Sequence, residues 1–344
     1  MENSSEIVSF VLAAYRNVGD FKYLYFIIIL FWYVSICVAN TFLIVVIHVD
    51  RRLHEPMYIL LSNLCLNEIK AGTSLYPLLL SQMFSDSHEV TLPWCFLQMC
   101  SLYTGAPTEF WSLAAMAYDR YISICHPLHY NVIMNTERVL KIILLVYISI
   151  CHPLRYNVIM NTKRVFLLIL LVWIFSLVSF MFSFSFIFSL KFCRNIIDNV
   201  YCDHQLMIKL SCSLSTQSYI SEIFFAIVSI FIPFTLISVS YFKILAVCRK
   251  TSIENKQKAV TTCTPQIVSV SNLFVGCIFH SIDFRLLIAR VPDEVRIILP
   301  MYILICQPML TPFLYGFNLP KIRHSFKRLL FNRKQITLFS KRLF

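Results

Sequence analysis

Charge is scarce in this chain: 14% of its 344 residues are Asp, Glu, Lys or Arg, beside 58% hydrophobic residues and a mean hydropathy of +0.70. A soluble domain carries about 25% charged residues, so that class is excluded and a membrane protein is expected. Glycine is scarcer still, with five residues against 30 Phe and 17 Tyr. Helices therefore pack through large side chains, with aromatic rings at the bilayer interfaces. Acids are outnumbered 18 to 30, yet the net charge of +12 does not indicate nucleic acid. The basic residues cluster in short segments between apolar runs, as cytoplasmic loops do. Met1 to Asp20 lacks an apolar h-region and a small-residue cleavage site. The first span is expected to act as its own insertion signal, with residues 1–20 as an extracellular N-terminus.

About 20 apolar residues cross a hydrocarbon core of roughly 30 Å, and seven stretches meet that length. They are Phe21 to Ile47, Pro56 to Phe84, Cys95 to Tyr121, Val165 to Leu190, Ser218 to Phe242, Ala259 to Ile282 and Ile297 to Asn318. Residues 319–344 carry eight basic residues and no acid, which marks a cytoplasmic tail. Seven spans then put the N-terminus outside and make the Asn3-Ser4-Ser5 glycosylation sequon usable. The expected fold is an all-α membrane protein, one receptor-sized bundle of seven transmembrane helices with a short amphipathic C-terminal helix.

Between spans three and four the chain repeats itself. Tyr121 to Val146 is followed at once by Tyr147 to Val172, and 21 of the 26 aligned positions are identical. In the first copy Lys141 precedes an uncharged run of only ten residues, Ile142 to Cys151, which reaches about half the core. The second copy has Leu167 where the first has Lys141, and its run Val165 to Leu190 is 26 residues long. Span four is expected from copy two, with residues 121–172 enlarging the second intracellular loop and roughly His129 to Arg155 as surplus. That surplus could lie on the membrane surface as a helix, pack under the bundle or send the protein to degradation; the interfacial helix is the favoured expectation. Cys125-His126 and Cys151-His152 owe their spacing to the repeat, so no metal site is expected there.

Two spans carry charge in their middle. Glu68 and Glu109 are intramembrane carboxyls on neighbouring helices, costly unless they face a wet or polar interior. Brought together they cannot both ionise cheaply, so sodium, a shared proton or a water cluster is expected there; a hydrogen-bonded structural pair is the alternative. Lys70 shares span two with Glu68 on a different face, and nothing in the sequence accounts for it. Span three ends in Asp119-Arg120-Tyr121 and span seven in Pro312-Phe313-Leu314-Tyr315. A guanidinium at the cytosolic rim that can leave Asp119 for Tyr241, Tyr315 or a docking helix suits a two-state switch.

Those two endings on seven spans resemble the rhodopsin-like G-protein-coupled receptors. Pro56-Met57-Tyr58, Met116-Ala117-Tyr118-Asp119-Arg120-Tyr121 with Cys125-His126-Pro127-Leu128, Lys258-Ala259-Val260-Thr261-Thr262-Cys263 and Pro308-Met309-Leu310-Thr311-Pro312 are similar to the vertebrate olfactory receptor signatures. The few glycines and the loop wording suggest a fish-type member. The resemblance implies a receptor for a small odorant that activates a heterotrimeric G protein of the olfactory stimulatory type at the plasma membrane, without a cofactor, catalytic residues or nucleic-acid partner. It also implies disulfides Cys95–Cys202 and Cys193–Cys212. An odorant pocket is implied among Tyr103, Thr104, Pro107, Phe224, Val228, Val275, Phe279 and Tyr302. Thr311 departs from the family's Asn, and Trp173 matches its span-four tryptophan. The competing readings are a signalling-impaired receptor carrying the repeat as a lesion and an ion or proton transporter. Against the transporter, spans are not repeated; against an intramembrane enzyme, no nucleophile has a base at matched depth.

Overall fold

The computed structural model of the chain describes residues 9–15, 21–125, 162–186, 192–212, 216–249, 253–281 and 293–329. Seven long helices form the bundle: α1 Lys22–Val49, α2 Pro56–Gln82, α3 Leu92–Cys125, α4 Thr162–Phe184, α5 Thr216–Cys248, α6 Ile253–Ser281 and α7 Asp293–Asn318. An eighth helix, α8, covers 320–329. Three of the helices, α1, α4 and α5, are apolar enough to cross a membrane by length and composition alone. Each buries one narrow stripe, as α1 does with Ile36, Asn40, Leu43, Val46 and Ile47, and leaves Phe31, Val38 and Val45 facing outward. Outward-facing apolar residues are what a lipid solvent favours.

α3 is the axis of the bundle. It packs on α2, α4, α5 and α6 and is buried along most of its length, from Cys95 to Ile122. Proline shapes two of the neighbours. Pro56 opens α2 at its first turn, where a missing N–H costs nothing. Pro233 follows a π-helical turn, Ile227–Phe231, inside α5, and the widened turn accommodates the proline ring and its missing donor. Two hydrophobic cores result, one around Leu64, Phe110, Met116 and Tyr315, the other around Phe10, Tyr76, Phe180 and Tyr201.

The second core is closed by strands that the all-helical expectation did not include. β1 Ser9–Leu12 lies centrally in a three-stranded sheet, antiparallel to β2 Glu89–Thr91 and parallel to β3 Ile196–Ile197. Within the N-terminal segment, Phe10 and Leu12 alternate inward and are fully buried, in the two-residue period of a strand. The Tyr15 hydroxyl donates to the Val200 carbonyl at 2.8 Å, and its ring stacks on His88. Burial pushes that phenol well above its ordinary range. Two disulfides, Cys95–Cys202 and Cys193–Cys212, tie the α4–α5 connection down at this end.

At the opposite end α8 presents Ile322 and Ser325 inward, next to the buried Leu319 that precedes it, and Lys321, Arg323 and Lys327 outward. Arg328 Nη2 lies 2.9 Å from Asp50 Oδ1 and Lys321 Nζ 2.6 Å from Glu55 Oε1. Burial pushes the Asp50 carboxyl up. The Ser325 hydroxyl, the Arg52 N–H and the Arg328 guanidinium outweigh that, so it ionises below its ordinary value. α3 ends at Cys125 in copy one of the repeat, and α4 begins at Thr162 in copy two. The rest of both copies' loop, the Asn3 sequon and the tail beyond 329 lie outside the described residues.

Candidate functional site

Beneath the sheet a cavity of about 160 Å³ opens between α2, α3, α4, α5, α6 and α7. Its roof is set by the Cys95–Cys202 bond, which pins the α4–α5 connection onto α3. Gln98 Oε1 accepts the Cys202 N–H at 3.0 Å. Next along, Asp203 Oδ1 accepts the N–H groups of Gln205 and Leu206 and so caps a short helix, His204–Lys209. The Tyr103 hydroxyl of α3 donates to Asp203 Oδ2 at 3.2 Å and accepts the His204 N–H at 3.3 Å. His204 is thereby held over the cavity, with its ring against Phe184 and Nδ1 2.6 Å from Glu222 Oε1 of α5.

The floor joins four helices through polar side chains. Tyr302 of α7 donates to Asn272 of α6 at 2.6 Å, and Asn272 donates to Gln307 Oε1 at 2.7 Å. Gln307 Nε2 donates to Ser269 Oγ at 2.9 Å and to Glu109 Oε1. The Glu68 carboxyl lies against Glu109 and Thr311, and the Thr311 hydroxyl donates to the Gln307 carbonyl at 3.4 Å. Two carboxyls brought together in this way share at least one proton or surround a cation, because a bare pair of carboxylates repels. Thr311 thus takes part in the network from the position where an Asn is expected.

Lys70, unexplained by the sequence, has a place. Its ammonium donates to Thr104 Oγ1 at 3.0 Å and lies 4.6 Å from the Trp173 ring centroid, over α4. Trp173 Nε1 donates to Asn63 Oδ1 at 2.9 Å, and Asn63 Nδ2 donates to Ser112 Oγ at 3.0 Å. One lysine therefore seals the seam of α2, α3 and α4 by a charge-assisted hydrogen bond and a cation–π contact.

Of the eight pocket residues inferred by resemblance, Tyr103 lines this cavity, and Thr104, Pro107, Phe224, Val228, Val275, Phe279 and Tyr302 are not among its walls. The reason is helix phase. Thr104 is turned toward Lys70, while Phe224, 51% exposed, packs on Phe182 outside the bundle. Val275 is 40% exposed, and Phe279 and Tyr302 pack edge to face on one another. Asn67, His204, Glu222 and Gln307 line the cavity and went unrecognised in the sequence. His204 and Glu222 sit at helix starts with no distinguishing motif, and Asn67 stands beside the more conspicuous Glu68.

At the far end of α3, Arg120 contacts the Met57 sulfur of α2, and its Nε has no hydrogen-bond partner among the described residues. Asp119 and Tyr121 are buried beside it, and Lys243 of α5 lies 5.6 Å from the Tyr121 ring. The hydroxyls of Tyr241 on α5 and Tyr315 on α7 are buried and have no hydrogen-bond partner among the described residues. Gln266 of α6 donates to the Leu113 carbonyl of α3 at 2.5 Å, holding the two helices together. Pro312 is buried in α7 one turn from this cluster.

Comparison with known proteins agrees along the whole chain. The olfactory receptor family model matches residues 144–333, and the rhodopsin-family seven-transmembrane receptor model matches residues 39–149. The two matches meet inside the repeat. Human olfactory receptor 5H6 is 30% identical over 95% of this chain and 93% of its own length. Rat olfactory receptor 1496 is 30% identical over 98% of this chain and 100% of its own. Squid rhodopsin superposes with a TM-score of 0.63 at 16% identity, covering 93% of this chain and 89% of the rhodopsin chain, a likeness of fold.

Proposed function

Since the chain belongs to the olfactory receptor family of rhodopsin-like seven-transmembrane receptors, we propose that it binds a small odorant in the cavity beneath the sheet and activates a heterotrimeric G protein of the olfactory stimulatory type. It is a multi-pass membrane protein of a family of receptors, not enzymes. The sheet end and Asn3 would face outward at the plasma membrane, and the Arg120 end and tail the cytosol. The observation that carries this reading is that one rigid helix bears both sites. Tyr103 walls the cavity, and Arg120 lies 17 residues further along α3, about 25 Å away.

A ligand that favours a different packing of α3 against α5, α6 and α7 shifts the population toward the state in which it binds best. Lengthening the Gln266–Leu113 contact frees α6, and the Tyr241 and Tyr315 hydroxyls offer Arg120 new acceptors across the gap. Glu68 and Glu109, with Thr311 and Gln307, would hold a sodium ion or a proton in the resting state. Expressed at the cell surface with a stimulatory G protein, the chain is expected to raise cAMP on odorant addition, and Arg120→Ala to abolish the rise. An unchanged response in that variant sinks the switch. The 26-residue repeat supports a second reading, a receptor that binds but couples poorly; ligand binding with no nucleotide exchange on any G protein would favour it.

A further inference from the structure

We infer, resting on the receptor reading above, that the cavity selects a small organic cation: a protonated primary amine on an apolar body about the size of one aromatic ring. Among the described residues five polar atoms on the cavity wall have no hydrogen-bond partner: Asn67 Oδ1, Glu68 Oε1, the Tyr201 hydroxyl, His204 Nε2 and Glu222 Oε1, on side chains 2%, 2%, 1%, 3% and 25% exposed. Two of them are acceptors by their surroundings. The Asn67 amide nitrogen is engaged by the Gly105 carbonyl at 3.1 Å, leaving its oxygen inward. The Glu68 carboxyl lies against Glu109 and Thr311, leaving Oε1 over. Glu222 Oε1, 2.6 Å from His204 Nδ1 yet without a hydrogen-bond partner among the described residues, is the third. Buried acceptors lacking a donor are costly, and an ammonium brings three donors.

Charge points the same way. The wall carries three carboxyls, Glu68, Glu109 and Glu222, one imidazole, His204, and no Lys or Arg. Give Glu68 and Glu109 one shared proton and set the Lys70 ammonium, held behind the wall on Thr104, against the charge that is left; the Glu222 carboxylate beside a neutral His204 is then the one negative charge in excess. Glu222 is the carboxylate we assign to the ligand. It is 25% exposed, whereas Glu68 and Glu109 are buried and lie against each other. Size sets the other limit. Leu102, Phe184, Phe225 and Leu273 offer an apolar wall to the ligand's body, and about 160 Å³ is close to the engineered apolar cavity of about 150 Å³ that takes benzene. A carboxylate ligand finds no cation, and a steroid finds no room.

The test uses the full chain in lipid nanodiscs and three probes of one shape: benzylamine, benzyl alcohol and benzoate. Benzylamine is expected to bind at least tenfold more tightly than benzyl alcohol, with benzoate weakest. Glu222→Gln is expected to erase the amine's advantage over benzyl alcohol, with an unchanged melting temperature reporting that the variant is folded; Glu222→Asp should restore part of the advantage. Equal binding of the three, preference for benzoate, binding of none, or an amine preference untouched in both Glu222 variants overturns the inference. Amine binding without nucleotide exchange on an added G protein leaves the inference standing and counts against the receptor reading.

Discussion

The Lys70 ammonium and the Trp173 ring lie 4.6 Å apart across the seam between α2 and α4. A cation placed over an indole away from bulk water is worth about 1–2 kcal/mol. A double-mutant cycle of Lys70→Met and Trp173→Leu, read by thermal unfolding in nanodiscs, should give a coupling of that size. Additive effects would show that the two side chains are neighbours without mutual attraction.

The adjacent carboxyls Glu68 and Glu109 should make stability depend on the cation supplied. Replacing choline by sodium in the buffer is expected to raise the melting temperature of the unmodified chain by about 1–2 °C, on the order of 1 kcal/mol. Glu109→Gln should remove the increment. If both forms respond equally to sodium, the pair holds a proton and no ion.

Asp50, at the start of the α1–α2 connection, fastens α8 through Arg328 and Ser325. Its carboxyl ionises lower in the folded chain than in the unfolded one, so its contribution is complete above about pH 4 and disappears as pH falls through the folded value. Protection of residues 320–329 from hydrogen exchange, relative to the unstructured rate at each pH, is expected to be lost as pH falls below about 4, and Asp50→Asn should be poorly protected on both sides of that pH. Protection that ignores pH in the unmodified chain would show that Arg328 does not need this partner.

Deleting Tyr121 to Val146 keeps one copy of the repeat and leaves Trp173 in α4. Surface labelling of the shortened chain is expected to equal or exceed that of the full one. Better trafficking or stronger cAMP output from the full chain would instead make the extra segment a functional addition.

The seven spans were legible because a bilayer demands about 20 apolar residues in a row, a signal carried by hydropathy alone. Choosing copy two for α4 needed only Leu167 in place of Lys141. The cavity wall was far less legible. Which side of α3 faces inward depends on rotation about its axis, and Thr104 and Tyr103, adjacent in sequence, face Lys70 and the cavity respectively. His204 takes its place from a disulfide, a capped short helix and Tyr103 acting together, a relation among distant segments. β1 was missed because four residues of strand in a polar terminus carry almost no periodic signal. Lys70 made no sense until Trp173 lay beside it.

The sheet above the cavity also fixes an order of assembly. β1, its central strand, is made first, yet one of its partners, β3, lies beyond α4, and the Tyr15–Val200 hydrogen bond joins residues 185 apart. The roof cannot close until four helices are in place, so it is a late step of folding, and so is the Cys95–Cys202 bond across 107 residues. The 26-residue repeat falls inside both loops. Lengthening the disulfide loop from 81 residues, 107 less 26, to 107 adds only about 0.2–0.3 kcal/mol of closure entropy. The repeat therefore adds little to the closure cost of the cavity-bearing half and of its Cys95–Cys202 bond.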